Sequence, residues 1–508
     1  MLTLAIACTA ALAGTTTVFA AQLVAGTVMR VPDNPLFGTP ACEPIVAQQQ
    51  ALGSTLYPDS EVEPYLAADP GHPTHLIGAV QQDRWNDGGA DGATSVYSMD
   101  GGVTWHAAAK QPAFTLCEGA APGAPGGLNR SSDPWVSFGP DGTAYQVSLS
   151  FNANGPGFGG VSGVVASTST DGGITWGPTR QVELDPSFSV LNDKESVTAD
   201  PSHAGTAYVV WDRLISPSTH ANPTATLHTP AFRGPAMFSR TTDFGQTWST
   251  PQVLFDPGQN DQTIGNQIVV EPDGTLVDGT LVLLNKGGRG HNGRSIVDVV
   301  VMRSTDGGST WTGPTVVSPL LDAPVVIAGH LVRTGDILPE FAIGPTGTLY
   351  ATWQDGSFSP NGVAHVAFSQ STDGGVSWSP PVQIDQSPAG VPAFTPVVHA
   401  AADGTVAVTY YDLESATATS PGLTDEFIVH CHAPTADCAS ASSWAANGET
   451  KLDTSGAFDM TTAPDAGGYF TGDYEGLAST GTTFDALFVM ARPSATTGPT
   501  DQFFNTAH

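Results

Sequence analysis

Short runs in which apolar and polar residues alternate are spread along the whole chain, and this period of two predicts β-strands. The segment 136–148 holds two such runs around the turn Gly139-Pro140-Asp141-Gly142, which is typical of a β-hairpin. A third run, 295–303, leads into a glycine-rich turn, and the segment 251–254 leaves a similar turn. The chain is therefore predicted to be all-β and built from units of four antiparallel strands.

An eight-residue motif recurs five times and marks the repeated unit. Each copy reads Ser/Thr-x-Asp-x-Gly-x-Thr/Ser-Trp. The aspartate can accept backbone hydrogen bonds, the glycine can adopt a positive φ, and the tryptophan can cover an apolar surface. We therefore expect the motif to stabilise a turn and to take no part in chemistry. The copies end at Trp105, Trp176, Trp248, Trp311 and Trp378, and a degraded sixth copy ends at Trp444.

Seven segments are similar in position and begin a repeated unit. Four strands per unit match one blade of a β-propeller, in which radial closure protects the sheet edges. The last unit, 472–492, holds two predicted strands, so either the segment 25–61 completes a seventh blade or the two ends combine into six. We predict a six- or seven-bladed β-propeller of four-stranded antiparallel blades, and the number of starts favours seven. The starts lie at Glu63, Asp133, Asp193, Gly265, Pro339, Thr395 and Gly472.

The N-terminal residues predict export. Residues 2–13 are apolar, no charged residue precedes Arg30, and Val18-Phe19-Ala20 fits a signal peptidase site. We expect a signal peptide over 1–20, an N-terminal segment over 21–62, the propeller over 63–492 and a C-terminal tail over 493–508. An uncleaved membrane anchor and lipidation of Cys8 remain alternatives, and only the anchor would bring a membrane partner.

Four cysteines remain after removal of the predicted signal peptide, and an even number in an exported chain indicates disulfides. Of the three pairings, Cys42–Cys117 with Cys431–Cys438 is the most local. A metal site at His430-Cys431-His432 is less favoured, because the sequence shows no second cluster of ligands.

The composition excludes several classes of partner. The chain has 16 Lys+Arg against 48 Asp+Glu, a formal net charge of −32, which argues against binding to nucleic acid. With 40% hydrophobic residues and ten tryptophans it can form a large core, which argues against disorder. Basic residues concentrate in 286–294, which is either an anion-binding loop with Arg289 and Arg294 or a solvated loop. We expect a monomer.

Acidic residues are frequent at the unit starts, which a propeller brings together around its axis. Such a ring of carboxylates can share protons, hold Ca²⁺ or bind a polyhydroxylated ligand. The alternative is that the Asp-Pro pairs only cap turns. No cofactor is predicted firmly, and Ca²⁺ remains open. The acidic residues are Glu63, Asp133, Asp193, Glu195, Glu340 and Asp473.

The repeated motif is similar to the Asp-box, or bacterial neuraminidase repeat, and 63–492 resembles the sialidase-like superfamily of Asp-box β-propellers. The resemblance implies a retaining glycoside hydrolase that acts on terminal sugars of extracellular glycans through a tyrosine nucleophile. By position it implies Tyr474 as nucleophile, Glu195 as its base, and Asp91 or else Asp87 as proton donor. Substrate-binding residues are then expected among Arg84, Arg213, Arg289, Arg294, Asp133, Asp473 and Glu340.

The chain departs from this family where the first substrate-binding arginine is expected. Val62-Glu63-Pro64 stands in place of an Arg-Ile-Pro signature, and Glu63 would repel an anionic sugar. The third arginine is unassigned, with Arg333 and Arg492 as candidates. Two main hypotheses follow: a glycoside hydrolase, and a non-catalytic propeller that binds polysaccharide or protein. Lyase chemistry, with Tyr474 removing a proton beside a uronate, is a third.

These hypotheses differ in the geometry that they require. Catalysis requires the Tyr474 hydroxyl within hydrogen-bond reach of Glu195, with Asp91 or Asp87 across a pocket. A Tyr474 packed in a core, with Arg213 pointing away, would favour the binding module.

Overall fold

Strands make up most of the regular structure in the computed structural model, which describes residues 22–155, 158–217, 233–284, 296–494 and 498–508. The chain enters through strand β1 (Met29–Arg30) and helix α1 (Glu43–Ala51). No helix among the described residues is both long and apolar enough to cross a membrane. The signal peptide predicted over 1–20, with Cys8, lies outside the described residues.

The first four units each contain four antiparallel strands that are neighbours in chain order. The first unit has β2 (Leu56–Ala68), β3 (Leu76–Trp85), β4 (Ala90–Ser98) and β5 (His106–Ala107). The second has β6 (Arg130–Phe138), β7 (Ala144–Ala153), β8 (Phe158–Ser169) and β9 (Arg180–Asp185). The third has β10 (Val190–Ala199), β11 (Ala207–Ile215), β12 (Ala236–Thr241) and β13 (Gln252–Phe255). The fourth has β14 (Gln262–Val270), β15 (Leu276–Leu284), β16 (Ile296–Ser304) and β17 (Thr312–Pro319).

The later units follow the same plan, with two insertions. After β18 (Val325–Ile327) and β19 (His330–Arg333), the fifth unit has β20 (Glu340–Ile343), β21 (Leu349–Asp355), β22 (His365–Ser371) and β23 (Val382–Gln383). The sixth has β24 (Ala393–Ala400), β25 (Thr405–Asp412), β26 (Leu423–His432), α2 (Ala441–Ala445) and β27 (Glu449–Lys451). Then come β28 (Phe458–Asp459), a 3₁₀ turn (Met460–Thr462), β29 (Tyr469–Phe470), β30 (Gly476–Thr480), β31 (Thr483–Ser494) and β32 (Gly498–Ala507).

The units form a closed ring. The innermost strands β2, β6, β10, β14, β20, β24 and β30 contact one another in that order, and β30 contacts β2. In the last sheet the order is β1-β32-β31-β30, so one strand from the N-terminal segment completes the sheet that the C-terminus builds. The segment 493–508, expected to be a tail, therefore contributes the strand Gly498–Ala507. The predicted all-β propeller of four-stranded antiparallel blades is confirmed.

The hydrophobic core lies between neighbouring sheets. Val210 and Phe238 of the third unit pack with Ile268 and Val300 of the fourth, for example. The alternation of each strand buries one set of side chains against the preceding unit and the other against the next, which explains why both faces are apolar.

The five repeated motifs form turns with one hydrogen-bond pattern. In each, one oxygen of the aspartate accepts the amide of the residue four positions later at 2.8–2.9 Å, and the other accepts that residue's hydroxyl. The degraded sixth copy differs, because Trp444 lies in α2 and its indole N–H donates to the carbonyl of Cys438 at 3.0 Å. Disulfides join Cys42 to Cys117 and Cys431 to Cys438, which confirms the most local pairing.

Candidate functional site

A repeated backbone irregularity shapes the innermost strands. In β2, β6 and β10 the pairing with the next strand shifts at a β-bulge, and one residue of each bulge is left-handed: Glu63 (φ 55°), Asp133 (φ 52°) and Lys194 (φ 53°). This conformation is strained for residues other than glycine, at about 1–3 kcal/mol each. Glu63 and Asp133 precede prolines, which lack an amide hydrogen and are tolerated at bulges.

The bulges of β6 and β10 border a cavity of about 580 Å³, a volume in the range of small-molecule sites. Residues of the first four units, the β18–β19 insertion and the start of the last unit line it, so it lies at the axis of the ring. Phe151 and Phe158 supply aromatic surface. The polar lining is Arg84, Asn86, Asp87, Ser132, Asp133, Asp193, Lys194, Arg333, Thr334, Asp336 and Asp473.

Two ion pairs fix charged groups in this cavity. The Arg333 guanidinium binds the Asp473 carboxylate through two hydrogen bonds, one of them 3.0 Å from Nε to Oδ1. Although burial opposes ionisation, the Arg333 charge holds the pKa of Asp473 at about 2. Lys194 Nζ lies 3.4 Å from Asp133 Oδ1 and 3.6 Å from the centre of the Tyr474 ring. These four charged side chains therefore already have partners within the protein.

Arg84 differs from the paired cations. Its side chain is buried, its Nη1 donates to the neutral amide oxygen of Gln81 at 2.5 Å, and its Nε has no partner among the described residues. Its guanidinium carbon lies 4.8 Å from the centre of the Phe470 ring, and that of Arg333 lies 4.4 Å from the same ring. Burial, followed by the charge of Arg333, lowers the pKa of Arg84 to about 10, so it stays cationic at neutral pH.

Glycine allows the β18–β19 insertion to reach the cavity. Gly335 has φ 63°, and a Cβ there would lie 2.1 Å from the carbonyl oxygen of Asp473. The next residue, Asp336, lines the cavity, where burial and a hydrogen bond with the Asp322 carboxyl raise its pKa to about 7. Burial, followed by the charge of Asp133, raises the pKa of Asp193 to about 8. Both groups are thus partly protonated near neutral pH and can give or accept protons.

The structure places Tyr474 and Glu195 near each other but outside the lining of the cavity. Tyr474 is buried in a core cluster, and its hydroxyl donates to the carbonyl of Pro134 at 3.1 Å. Burial, with the nearby carboxylates, raises the pKa of Tyr474 well above its usual range. Glu195 is also buried, and neither of its carboxylate oxygens has a partner in the described part of the chain. Among the described residues no hydrogen bond joins Tyr474 to Glu195 and neither lines the cavity, so the assignment of Tyr474 as nucleophile with Glu195 as base stays a prediction without support from this geometry.

The two candidate proton donors have different surroundings. Asp91 is buried away from the cavity lining, where one carboxylate oxygen accepts the indole N–H of Trp85 at 2.8 Å. Its preferred assignment as proton donor therefore stays a prediction that this position does not favour. Asp87 lines the cavity and accepts hydrogen bonds from Arg130 at 2.6 Å and from Ser54 at 2.7 Å.

The remaining predicted binding residues divide in the same way. Arg84, Asp133 and Asp473 line the cavity. Arg213, on the third unit, does not, because it binds Asp185 of the second unit, with 2.8 Å from its Nε to Oδ2. Glu340 is buried beside the cavity without lining it, and Arg289 and Arg294 lie outside the described residues.

Sequence reasoning missed the cavity roles of Lys194 and Asp336. Lys194 gave a usable signal, since a lysine at a unit start is unusual in a chain with 16 Lys+Arg. Asp336 gave none, because it lies in the β18–β19 insertion. Arg333, considered as the third arginine, lines the cavity, whereas Arg492 donates to the carbonyl of Gly456 elsewhere.

Comparisons with known proteins found distantly similar solved structures. No family model and no curated protein matches the chain. A protein of unknown function from Dyadobacter fermentans is 12% identical, covers 96% of this chain and 99% of its own, and has a TM-score of 0.47. The Hadza microbial sialidase Hz136 is 15% identical over 86% and 74%, with a TM-score of 0.45. An alpha-L-arabinanase from Penicillium chrysogenum, solved with arabinobiose, is 12% identical over 76% and 94%, with a TM-score of 0.45.

Proposed function

We propose that this chain is an exported propeller that binds an acidic sugar at the end of an extracellular glycan in its axial cavity. Arg84 carries the proposal. It is a buried cation that lines the cavity in a chain of net charge −32. Its Nε–H has no partner among the described residues, and its Nη1 donates to the neutral amide oxygen of Gln81. Glu63, Asp473 and Asp133 act on Arg84 only as nearby charges, without a direct ion pair. Burying a charge without a direct ionic partner is unfavourable, so a carboxylate ligand would supply the partner that Arg84 lacks.

The rest of the lining suits a sugar. The carboxylates of Asp87, Asp133 and Asp473 can accept hydrogen bonds from hydroxyl groups, and Phe151 and Phe158 offer apolar surface to C–H faces. Lys194 and Arg333 add positive charge beside Arg84 while each stays paired with its own carboxylate. Glu63, which the sequence predicts would repel an anionic sugar, does not line the cavity. The two disulfides are of the kind that persists outside the cytoplasm.

Calorimetric titration with oligosaccharides that end in a uronic acid tests this proposal. Arg84→Gln should weaken binding by about 10- to 100-fold, because a charged hydrogen-bond pair contributes about 1.5–3 kcal/mol. Arg213→Gln is the matched control and should leave affinity unchanged, since Arg213 binds Asp185 outside the cavity. The proposal would be rejected by equal losses of affinity in the two variants. It would also be rejected if oligosaccharides with and without the terminal carboxylate bind with equal affinity.

Hydrolysis of the bound sugar is the second candidate function. The observation that favours it is that Asp193 and Asp336 both line the cavity with pKa values raised to about 8 and about 7. One protonated and one ionised carboxyl group are the requirement for glycosidic bond cleavage with acid and base roles. Its chemistry would not use Tyr474.

Turnover of fluorogenic uronides and sialosides tests the second function. If the protein is a hydrolase, Asp193→Asn should lower kcat by at least about 100-fold while calorimetric affinity stays within about twofold, because only proton transfer is removed. The rate should also fall as the pH rises above about 7–8, where the acid loses its proton. Binding without any turnover leaves the module as a lectin-like binder.

A further inference from the structure

Carboxylates gather where the two ends of the chain meet the first unit. Asp33 follows β1, and Asp59 and Glu61 lie in β2. Their ligand oxygens, one from each residue, lie within 4.8 Å of one another. We refer to Asp33, Asp59 and Glu61 as the closure cluster. Beside it, Arg30 donates from Nε to Asp501 Oδ1 at 2.6 Å and from Nη2 to Asp33.

The closure cluster holds more negative charge than its neighbours offset. Glu61 is 0% exposed; its Oε1 accepts from Gln82 at 2.7 Å, but its Oε2 has no partner among the described residues. Oδ1 of Asp59 is likewise unpartnered in the described part of the chain. A buried, unpartnered carboxylate oxygen on a residue grouped this closely with two other carboxylates is unfavourable in its ionised form unless a cation joins them.

We propose that the closure cluster binds a Ca²⁺ ion. The three donors are all carboxylate oxygens, the ligands preferred by hard cations and not by zinc or copper. Ca²⁺ accepts six to eight oxygens in irregular geometry, whereas Mg²⁺ requires a near-ideal octahedron, so a cluster built from two separate segments suits Ca²⁺ better. The remaining positions would be filled by water or backbone carbonyl groups.

Such an ion would hold the ring closed. Asp33 belongs to the segment that leaves β1, the outer strand of the last sheet, while Asp59 and Glu61 belong to β2, the innermost strand of the first sheet. One cation would therefore tie the last unit to the first at both ends of the connection that runs from β1 to β2. A ligand that binds only the folded state raises its stability according to its concentration relative to Kd. The site is separate from the axial cavity, so its test does not depend on the sugar-binding proposal.

Thermal unfolding of the full chain after chelation tests the site. Millimolar CaCl₂ should raise Tm by about 2–5 °C over the EDTA-treated protein, and MgCl₂ at the same concentration should raise it less. Glu61→Gln should abolish the Ca²⁺ increment while its metal-free Tm equals or exceeds that of metal-free wild type, because the substitution keeps the shape and removes an unbalanced charge.

A second glutamate serves as the matched control. Glu118 is also buried, but its oxygens accept the amides of Ala93 at 3.0 Å and Phe114 at 2.9 Å, so Glu118→Gln should lower Tm and keep the Ca²⁺ increment. Should Glu61→Gln not fold, Asp33→Asn at the more exposed edge should weaken Ca²⁺ binding at least about tenfold. A wild-type Tm that does not respond to Ca²⁺, or a full increment in the variant that is measured, overturns the proposal.

Discussion

Charged residues at bulges determine what the axial cavity can bind. In β10 the bulge sets Asp193 and Lys194 at the cavity, whereas Glu195, the next residue, is buried away from it. At the start of the last unit Asp473 lines the cavity and Tyr474 packs inside. A change of one position along a strand moves a side chain to the opposite face, so neighbouring residues have unrelated roles.

Tyr474→Phe distinguishes these roles at the scale of one residue. Because the hydroxyl donates to the carbonyl of Pro134 inside the protein, its loss should reduce unfolding free energy by about 1 kcal/mol and leave sugar affinity within about twofold. Denaturant unfolding and calorimetry measure the two effects. A large loss of affinity or turnover, with stability unchanged, would show that Tyr474 acts directly in binding or catalysis.

The sequence predicted only some of the site residues, because adjacent residues of a strand face opposite sides and have unrelated roles. Unit starts and the loop after β3 correctly indicated Arg84, Asp87, Asp133 and Asp473 as neighbours of the axis. Motif similarity could not show which of two adjacent residues faces the cavity, because bulges shift the alternation by one position. The burial of the Glu195 side chain away from the cavity was therefore not predictable from the local pattern.

At the scale of elements, the repeated turns were predictable and the insertions were not. Each turn depends on hydrogen bonds within eight residues, so its sequence carries all the information required. The small sheet of β18, β19 and β29 pairs Arg333 with Phe470 in parallel across a long stretch of chain. Its strands are short and their partners distant, so alternation alone could not predict that Arg333 would reach the cavity.

Asp373→Ala tests how the repeated turns stabilise the fold. The hydroxyl and amide of Ser377 donate to Asp373 and hold its pKa at about 2; because the carboxylate is exposed and screened by solvent, the variant should lose about 0.5–1 kcal/mol of unfolding free energy at pH 7. A lowered carboxyl pKa stabilises only above the unfolded value, so the deficit should shrink below about pH 4 and vanish near about pH 2. Val376→Ala in the same turn, where the side chain is 58% exposed, is the control and should change little. A deficit independent of pH would contradict this explanation.

Two features belong to the scale of the whole molecule: the closure of the ring and the large number of buried carboxyl groups. Closure is only partly predictable from the sequence. The shortage of strands in the last unit is visible there. The contribution of Gly498–Ala507 to the last sheet is not, because the pattern of this segment predicts a tail. Pairing between the two ends of a chain leaves no local signal, since each strand is specified only by alternation.

The buried carboxyl groups predict how stability depends on pH. Burial raises the pKa of Glu118, Asp193 and Glu340 to about 8 and that of Asp212 to about 7. A raised carboxyl pKa favours the folded state fully below the unfolded value and loses that contribution as pH rises through the folded value. In EDTA-containing buffer, Tm should therefore fall continuously from about pH 5 to about pH 8.5. A Tm that is constant or rises over this interval would show that these groups are ionised in the folded protein.

The central claim is that the axial cavity recognises a sugar carboxylate through Arg84, and a crystal structure with a bound uronic-acid oligosaccharide tests it most directly. The account predicts the terminal sugar inside the cavity, with its carboxylate within hydrogen-bond distance of the Arg84 guanidinium, about 2.7–2.9 Å for such charged pairs. A sugar bound on the outer surface of the ring, or one in the cavity with its carboxylate directed away from Arg84, would contradict it.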